Sequence, residues 1–408
     1  MAEQDLEQML RRMAATKVNR RSFLAGSGLA ASAAALAACS TAATPSPSAA
    51  ASTAASQTPA SAGPPSDAPS ATPYVATDVE KELFMINWGD YVDPVNIDQF
   101  KADYALEKFT YDTFASNEEL LTKLQGGAKG QYDISAPTAE FVPAMVEQGF
   151  IQKIDWAKVP NARYIEEPFK KQWWDPNDEY QLPKDWGTTG LAVRTKIVTE
   201  EVKTWKAFFE VAPKYSGRIV VVDSPGDVFT APLKALGYSL NSVDPKELGE
   251  ARELLRGLAP HVLALDSDQY NTKMETEEAV LALCWTGGII ELRDDPNGKA
   301  QDIAYYIPED GTLFWMDTWV ILADAPHPNG AHAWLNFIHD PEAQARETMT
   351  NQYATCNSEA KKYIDAKMLA DPAIFVPDDV LTKLEGAKDV STDPLRIEIW
   401  EEFKSSIG

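Results

Sequence analysis

Aromatic and acidic side chains recur directly after the apolar runs of this chain, in four short loops. The loops cover residues 88–91, 137–140, 224–227 and 285–288. Aromatic faces attract ammonium groups through cation–π interactions, and carboxylates hold them through charged hydrogen bonds. No Arg, the residue that a carboxylate or phosphonate ligand would require, falls in these loops. Their composition therefore favours a small organic cation as the ligand.

The segments that must position these loops alternate between strand-like and helix-like patterns from about Asp78 onward, which indicates an α/β fold. The clearest predicted strands cover residues 83–88, 218–223, 280–285 and 319–322. In open α/β sheets, ligands bind at the carboxyl ends of the strands. We therefore expect the loops after these strands to meet in one pocket.

Helices are predicted where capping residues precede apolar periodicity. Ser116 or Asn117 can cap a helix, and residues 229–236 continue a buried strand as a helix. Asp244 followed by Pro245 is a strong helix start, and this helix should run to about Leu258.

The length and net charge of the chain limit the classes of protein to which it can belong. With 408 residues and 44% hydrophobic content, the chain can bury two ordinary domain cores. Its net charge of -24 argues against nucleic acid as a partner, because phosphate contacts need clustered Lys and Arg. Most of this charge is expected on the solvated surface.

Enzyme motifs are largely missing from the sequence. It has no phosphate-binding loop, no strand-to-helix G-x-G-x-x-G and no nucleophile elbow, and its histidines form no H-E-x-x-H. We therefore expect no catalytic activity, no cofactor and no metal. A pair of carboxylates facing each other across a cleft, as in a surface glycosidase, stays open as a minor alternative.

The three cysteines are Cys39, Cys284 and Cys356. None has the close spacing of a metal or redox motif. Cys284 lies in an apolar run, so we expect a buried free thiol there. A disulfide between Cys284 and Cys356 is left open.

The N-terminal region resembles a twin-arginine export signal joined to a lipoprotein site. Residues 19–24 read NRRSFL, and the uncharged stretch that follows is too short and weakly apolar to span a membrane. It ends in LAAC, a lipobox-like sequence in which Cys39 would receive the lipid. Residues 1–38 are thus a predicted signal peptide. Residues 39–77, rich in Ser, Ala and Pro, are a predicted disordered linker.

The remainder resembles a known family over residues 83–403. The strings that carry this resemblance are INWGDYV, SNEELLTKL, GQYDISAP, IQKID, DVFTAPLKALGYS, DPKEL, FWMDTWVI, YATCN and IWEEF. In this order and spacing they are similar to the periplasmic spermidine/putrescine-binding proteins of ABC importers.

The resemblance implies a two-lobed periplasmic-binding-protein fold of type II, with a mixed sheet flanked by helices in each lobe and the ligand in the cleft between lobes. Lobe 1 would comprise residues 79–187 plus 317–355, and lobe 2 residues 188–316 plus 356–408. The chain would cross between lobes near Trp186, Trp315 and Tyr353.

The same resemblance implies a ligand site. The family's pocket residues match here at Trp88, Tyr91, Trp285, Trp315 and Asp317. Thr138 stands where the family has a serine, Glu140 replaces a tyrosine, Ser224 replaces an acidic residue, and Asp227 replaces a glutamate. A C-terminal glutamine of the family has no counterpart between residues 383 and 393. These departures preserve the number of carboxylates around the pocket but shift their positions, so a cationic ligand is still expected, with Asp317 as the central anchor.

The overall expectation is a monomeric, extracytoplasmic binding protein, anchored to the membrane by lipid on Cys39. It would capture a polyamine by closure of its lobes and deliver it to an ABC permease complex. The alternatives are the same fold with another small solute, such as an amino acid derivative, a sugar or a phosphonate, and the surface glycosidase.

Overall fold

The computed structural model describes residues 76–407. The predicted signal peptide, Cys39 and all but the last two residues of the predicted linker lie outside that range. Among the helices within it, none combines the length and the apolar character needed to cross a membrane.

The strands belong to one curled sheet. Their bounds are β1 Glu82–Asn87, β2 Lys108–Thr113, β3 Ile134–Ser135, β4 Ile151–Gln152, β5 Gln181–Arg194, β6 Ile219–Val221, β7 Val262–Leu265, β8 Leu281–Trp285, β9 Ile303–Tyr306, β10 Thr312–Leu322, β11 Ala354–Thr355 and β12 Leu384–Gly386.

The α-helices cover this sheet. Their bounds are α1 Pro94–Asp103, α2 Asn117–Lys123, α3 Val142–Glu147, α4 Trp205–Val211, α5 Pro225–Ala235, α6 Pro245–Leu258, α7 Tyr270–Glu275, α8 Thr286–Asp294, α9 Pro328–Ile338, α10 Pro341–Asn351, α11 Ala366–Leu369, α12 Asp378–Leu381 and α13 Pro394–Ser406. A short 3-10 helix, Ala139–Phe141, precedes α3.

Two long antiparallel strands, β5 and β10, run through the middle of the sheet. The strand order is β2-β1-β3-β10-β5-β8-β6-β7, so β1 to β3 lie on one side of the pair and β6 to β8 on the other. Every residue of β5 and β10 is buried. β1 is parallel to β2 and β3, and β6 is parallel to β7 and β8. The two sides of the sheet thus contribute separate sets of strand ends.

Three segments lie side by side at the centre of the molecule. Trp186 in β5 pairs with Met316 in β10, and it also pairs with Ala354 in β11. These are the places at which the family resemblance puts the crossings between lobes. The lobe boundaries themselves stay a prediction.

A strand is present at each predicted place, and the helix starts predicted near residues 116 and 244 are confirmed. Asp244 accepts hydrogen bonds from the backbone N–H groups of Lys246 and Glu247. Ser116, rather than Asn117, caps α2 by accepting from the Glu119 N–H.

Two predicted bounds were wrong. Helix α5 begins at Pro225 and not at residue 229. Strand β10 begins at Thr312 and not at residue 319. The prediction placed the start too late because the buried polar residues Asp317 and Thr318 interrupt the apolar run that marks a buried strand.

Both cysteines of the described range are buried and free. The expected buried free thiol at Cys284 is thus confirmed, and burial raises the pKa of this thiol. The disulfide left open by the sequence is not formed.

Candidate ligand-binding site

The four predicted loops line a single cavity of about 790 Å³. Parallel strands β1 and β3 end on one side of it, and parallel strands β6 and β8 end on the other. The predicted ligand-binding residues all lie in its wall: Trp88, Tyr91, Thr138, Glu140, Asp227, Trp285, Trp315 and Asp317. The tertiary structure therefore brings together side chains that are separated by more than half the chain.

One end of the cavity is built around the hydroxyl of Tyr91. This oxygen lies 2.5 Å from Oδ1 of Asp185 and 2.8 Å from Oδ2 of Asp317. The two aspartates are directly opposite each other in the β5–β10 pair, a placement of like charges that costs stability unless it is compensated. Oδ1 of Asp317 is buried and has no hydrogen-bond partner of good geometry among the described residues, so it is open to a further donor.

A buried lysine compensates Asp185. The Nζ of Lys184 lies 2.6 Å from Oδ2 of Asp185 and 3.7 Å from Oε2 of Glu347. It also lies 3.4 Å from the centre of the Tyr91 ring, at which distance a cation–π interaction is favourable. Asp185 is thus paired with a cation. Burial and the charge of Asp185 raise the pKa of Asp317 to about 7.

Aromatic rings form the walls. Trp315 and Tyr353 meet edge to face with ring centres 4.7 Å apart, and Trp88 and Trp285 do so at 5.7 Å. The Trp315 ring packs directly against Gly187 of β5, which is possible because Gly187 has no side chain: a Cβ there would lie 2.6 Å from the ring. Rings held in this way can sandwich a methylene chain and face its ammonium groups.

Two further acids of the cavity wall are Asp227 and Glu140. Asp227, in the first turn of α5, accepts hydrogen bonds from the Ser224 and Thr189 hydroxyls and, at 3.0 Å, from the indole N–H of Trp285. Burial nevertheless raises the pKa of Asp227. Burial, followed by the charges of Asp317, Asp227 and Glu118, raises the pKa of Glu140 to about 8.

Thr138 is held in place by α2. The side-chain amide of Asn117 donates to the Thr138 hydroxyl at 2.8 Å, and its oxygen accepts from the Thr138 N–H at 2.9 Å. This clamp positions the loop that carries Glu140.

Basic residues reach the wall only near the C-terminal helix, and two of them are already engaged. Arg396 donates to the carbonyl oxygens of Leu240 and Ser242, and Lys404 lies 3.2 Å from Asp223. Residues 387–391 also line the cavity. This segment lacks the glutamine that the family would place there.

Sequence reasoning missed several polar and aromatic groups in or directly behind the wall. Tyr353, Tyr270 and Glu118 line the cavity, while the pair Lys184–Asp185 lies buried behind Tyr91. The only signal for the pair was its position directly before Trp186, where a crossing between lobes was expected. A charged Lys-Asp dipeptide otherwise predicts a solvated turn.

Comparison with known proteins identifies the class. The family model of bacterial extracellular solute-binding proteins matches residues 96–376, and the chain belongs to this family. It is a substrate-binding transport protein and not an enzyme, with the two-lobed periplasmic-binding-protein fold.

Individual relatives are similar to this chain over most of its length. The chain is 31% identical over 331 residues to the spermidine/putrescine-binding periplasmic protein of Escherichia coli. The matched region covers 80% of this chain and 91% of that protein. A structure of a putative spermidine/putrescine ABC transporter protein from Listeria monocytogenes is similar with a TM-score of 0.74 and 30% identity, over 80% of this chain and 99% of that one. The TpPotD lipoprotein of Treponema pallidum is similar with a TM-score of 0.68 and 27% identity, over 80% and 99%.

Proposed function

We propose that this protein captures a polyamine in the cavity and presents it to the permease of an ABC importer. The observation that carries the proposal is the set of cavity carboxylates. Asp317, Asp227, Glu140 and Glu118 form no ion pair within residues 76–407, and burial raises the pKa of each. A ligand with several ammonium groups would neutralise these groups, and the aromatic walls would enclose its methylene chain.

The anchoring and delivery steps are part of the same proposal. Cys39, at the end of a lipobox-like sequence, would carry the lipid that holds the protein at the outer face of the membrane. The similar Treponema protein is itself described as a lipoprotein. Residues 79–187 with 317–355, and 188–316 with 356–408, would close on the ligand as two lobes of a monomer before delivery.

Another solute in the same fold is the rival proposal. An anionic ligand would meet the four carboxylates, and two of the three basic residues in the wall, Arg396 and Lys404, are turned to other partners. A sugar would leave the buried acids without a cation. The cavity therefore fits a polyamine better than either.

Calorimetry and thermal shift on the purified full-length chain would test this, with putrescine, spermidine, spermine, amino acids, sugars and an alkylphosphonate. We expect binding by the polyamines and by none of the others. Binding of a sugar or the phosphonate, with no response to any polyamine, would overturn the proposal.

Asp317→Asn tests the anchor directly. Because it removes a desolvated charge partner common to all polyamines, we expect every polyamine to lose about 2–5 kcal/mol of binding free energy at pH 7.5. Asp133→Asn is the matched control, since Asp133 is equally buried but bonds to the N–H groups of Phe84 and His327 and does not line the cavity. Equal affinities in wild type and Asp317→Asn would sink the site assignment.

A further inference from the structure

The Tyr91 phenol contacts two carboxyl groups, so the number of protons that these three groups share has to be worked out. The hydroxyl of Tyr91 has a single hydrogen, yet its oxygen is within hydrogen-bond distance of both Asp185 and Asp317. It can donate to only one of them. The second contact is a hydrogen bond only when that carboxyl itself carries a proton and donates to the phenol oxygen.

The surrounding charges decide which carboxyl carries the proton. Asp185 forms an ion pair with Lys184, whose Nζ lies 2.6 Å from Oδ2 of Asp185. Asp317 has no such partner, and it faces the charge of Asp185 across the strand pair. The proton therefore belongs on Asp317, and Tyr91 donates to Asp185.

We propose that Asp317 holds a proton in the unliganded pocket, that Asp185 keeps it there through Tyr91, and that a ligand ammonium displaces it. The inference rests on the proposed function. The bound ammonium remains protonated and donates to Asp317, and the displaced carboxyl proton leaves to the solvent. Asp185 is thereby a positioning residue. Because it keeps the proton on Asp317, binding of the ligand releases that proton.

The other ionisable groups around Asp317 come from several elements. The groups that interact electrostatically with Asp317 are Asp185 and Lys184 on β5, Tyr91 before α1, Glu140 in the 3-10 helix and Tyr353 after α10. Glu347 on α10 acts indirectly, through Lys184. Lys184 is the only cation among these groups. It acts against the proton on Asp317, whereas Asp185 favours it.

The protonation of these acids decides whether polyamine affinity rises or falls with pH. In the free protein the pKa of Asp317 is about 7 and that of Glu140 about 8, and a bound ammonium lowers both. Polyamine binding therefore releases protons, and affinity falls as pH falls through these values. Each proton released weakens binding about tenfold per pH unit below the free-state pKa.

The test uses putrescine, whose amines, like that of Lys with a pKa of about 10.4, stay protonated below pH 7.5. Calorimetric titration at pH 6.5 in two buffers of different ionisation enthalpy gives the number of protons released. Glu140→Gln removes the other cavity acid whose pKa lies close to neutrality. We expect this variant to release up to about one proton and to lose affinity steadily between pH 7 and pH 6.

Asp185→Asn in the Glu140→Gln background then separates the proposed role from a structural one. With the neighbouring charge removed, burial alone favours the proton on Asp317. The proton release should therefore fall below that of Glu140→Gln alone, and the affinity should depend less steeply on pH between pH 7 and pH 6. A residue that only supports the fold would weaken binding equally at each pH without changing the proton count. Adding Asp133→Asn instead should leave the proton count unchanged.

Three outcomes are decisive. Binding of putrescine without proton release in Glu140→Gln would overturn the inference even if Asp185→Asn did not fold. An unchanged proton count in a folded Asp185→Asn protein would remove Asp185 from the mechanism. Failure of the wild-type chain to bind any polyamine at pH 7.5 would instead count against the proposed function.

Discussion

At the residue scale, the unusual side chain of the pocket is Glu140. It stands where the similar family has a tyrosine, and it lies in the cavity wall close enough to Asp317, Asp227 and Glu118 for their charges to raise its pKa. A carboxylate at this place adds a charge that an aromatic ring would not. We therefore expect Glu140 to change which spacing of amines fits the cavity.

Glu140→Tyr should change the ranking of putrescine against spermidine, because it alters the charge at one end of the cleft and leaves Asp317 unchanged. Dissociation constants for the two ligands, measured by calorimetry in wild type and variant, check this. Glu147→Gln removes an exposed acid from the following helix α3 and should change neither constant. Equal losses for both polyamines in Glu140→Tyr would remove Glu140 as a selector.

At the scale of elements, the pairing of strand β10 with strand β5 positions two features of the site. The absence of a side chain at Gly187 lets the Trp315 ring lie against β5, and the register of the pair sets Asp185 opposite Asp317. The positions of both an aromatic wall and an acidic anchor thus depend on one antiparallel pairing.

Gly187→Ala should weaken polyamine binding, because its Cβ would meet the Trp315 ring at 2.6 Å and displace it. We expect a loss of about 1–3 kcal/mol in stability from the overpacking together with weaker binding, measured by denaturant unfolding and by calorimetry. Gly257→Ala in α6 is the control, since a Cβ there meets nothing within 4 Å. It should stabilise the helix by up to about 1 kcal/mol without changing affinity. Wild-type affinity in Gly187→Ala would show that the close approach is not needed for binding.

At the scale of the whole molecule, the proposed lipid on Cys39 would decide where the protein works. Multiple acyl chains contribute roughly 0.8 kcal/mol per buried methylene, enough to hold a protein on a membrane surface without a spanning helix. The long Ser, Ala and Pro-rich segment after Cys39 would then set the distance between the membrane and the binding domain.

Cys39→Ala should move the protein from the membrane fraction to the soluble fraction, measured by fractionation and immunoblotting of cells that express it. Ser40→Ala, at the adjacent position, should leave the protein with the membranes. Persistent membrane association of Cys39→Ala would disprove the lipid anchor.

Much of this organisation could be read from the chain itself. The apolar runs at residues 83–88, 218–223 and 280–285 predicted strands, and the rule that ligands bind at strand ends predicted that the loops after them would meet. Helix α6 was predictable because Asp244 and Pro245 satisfy local requirements of a helix start. Such signals depend on neighbours in sequence, so one chain without its structure suffices to find them.

The tertiary structure alone decided the charge arrangement around Asp317. Asp185 is 132 positions away in the sequence, and only the pairing of β5 with β10 brings the two carboxylates to one phenol. The burial of Lys184 likewise contradicts what a lysine predicts by itself, because its cost is offset by Asp185, Glu347 and the ring of Tyr91. The sequence by itself determined the strands, the loops and the kind of side chains in the pocket, since these follow from local pattern. Which charges face one another, and hence where the pocket keeps a proton, depends on long-range register and burial, which local pattern does not encode.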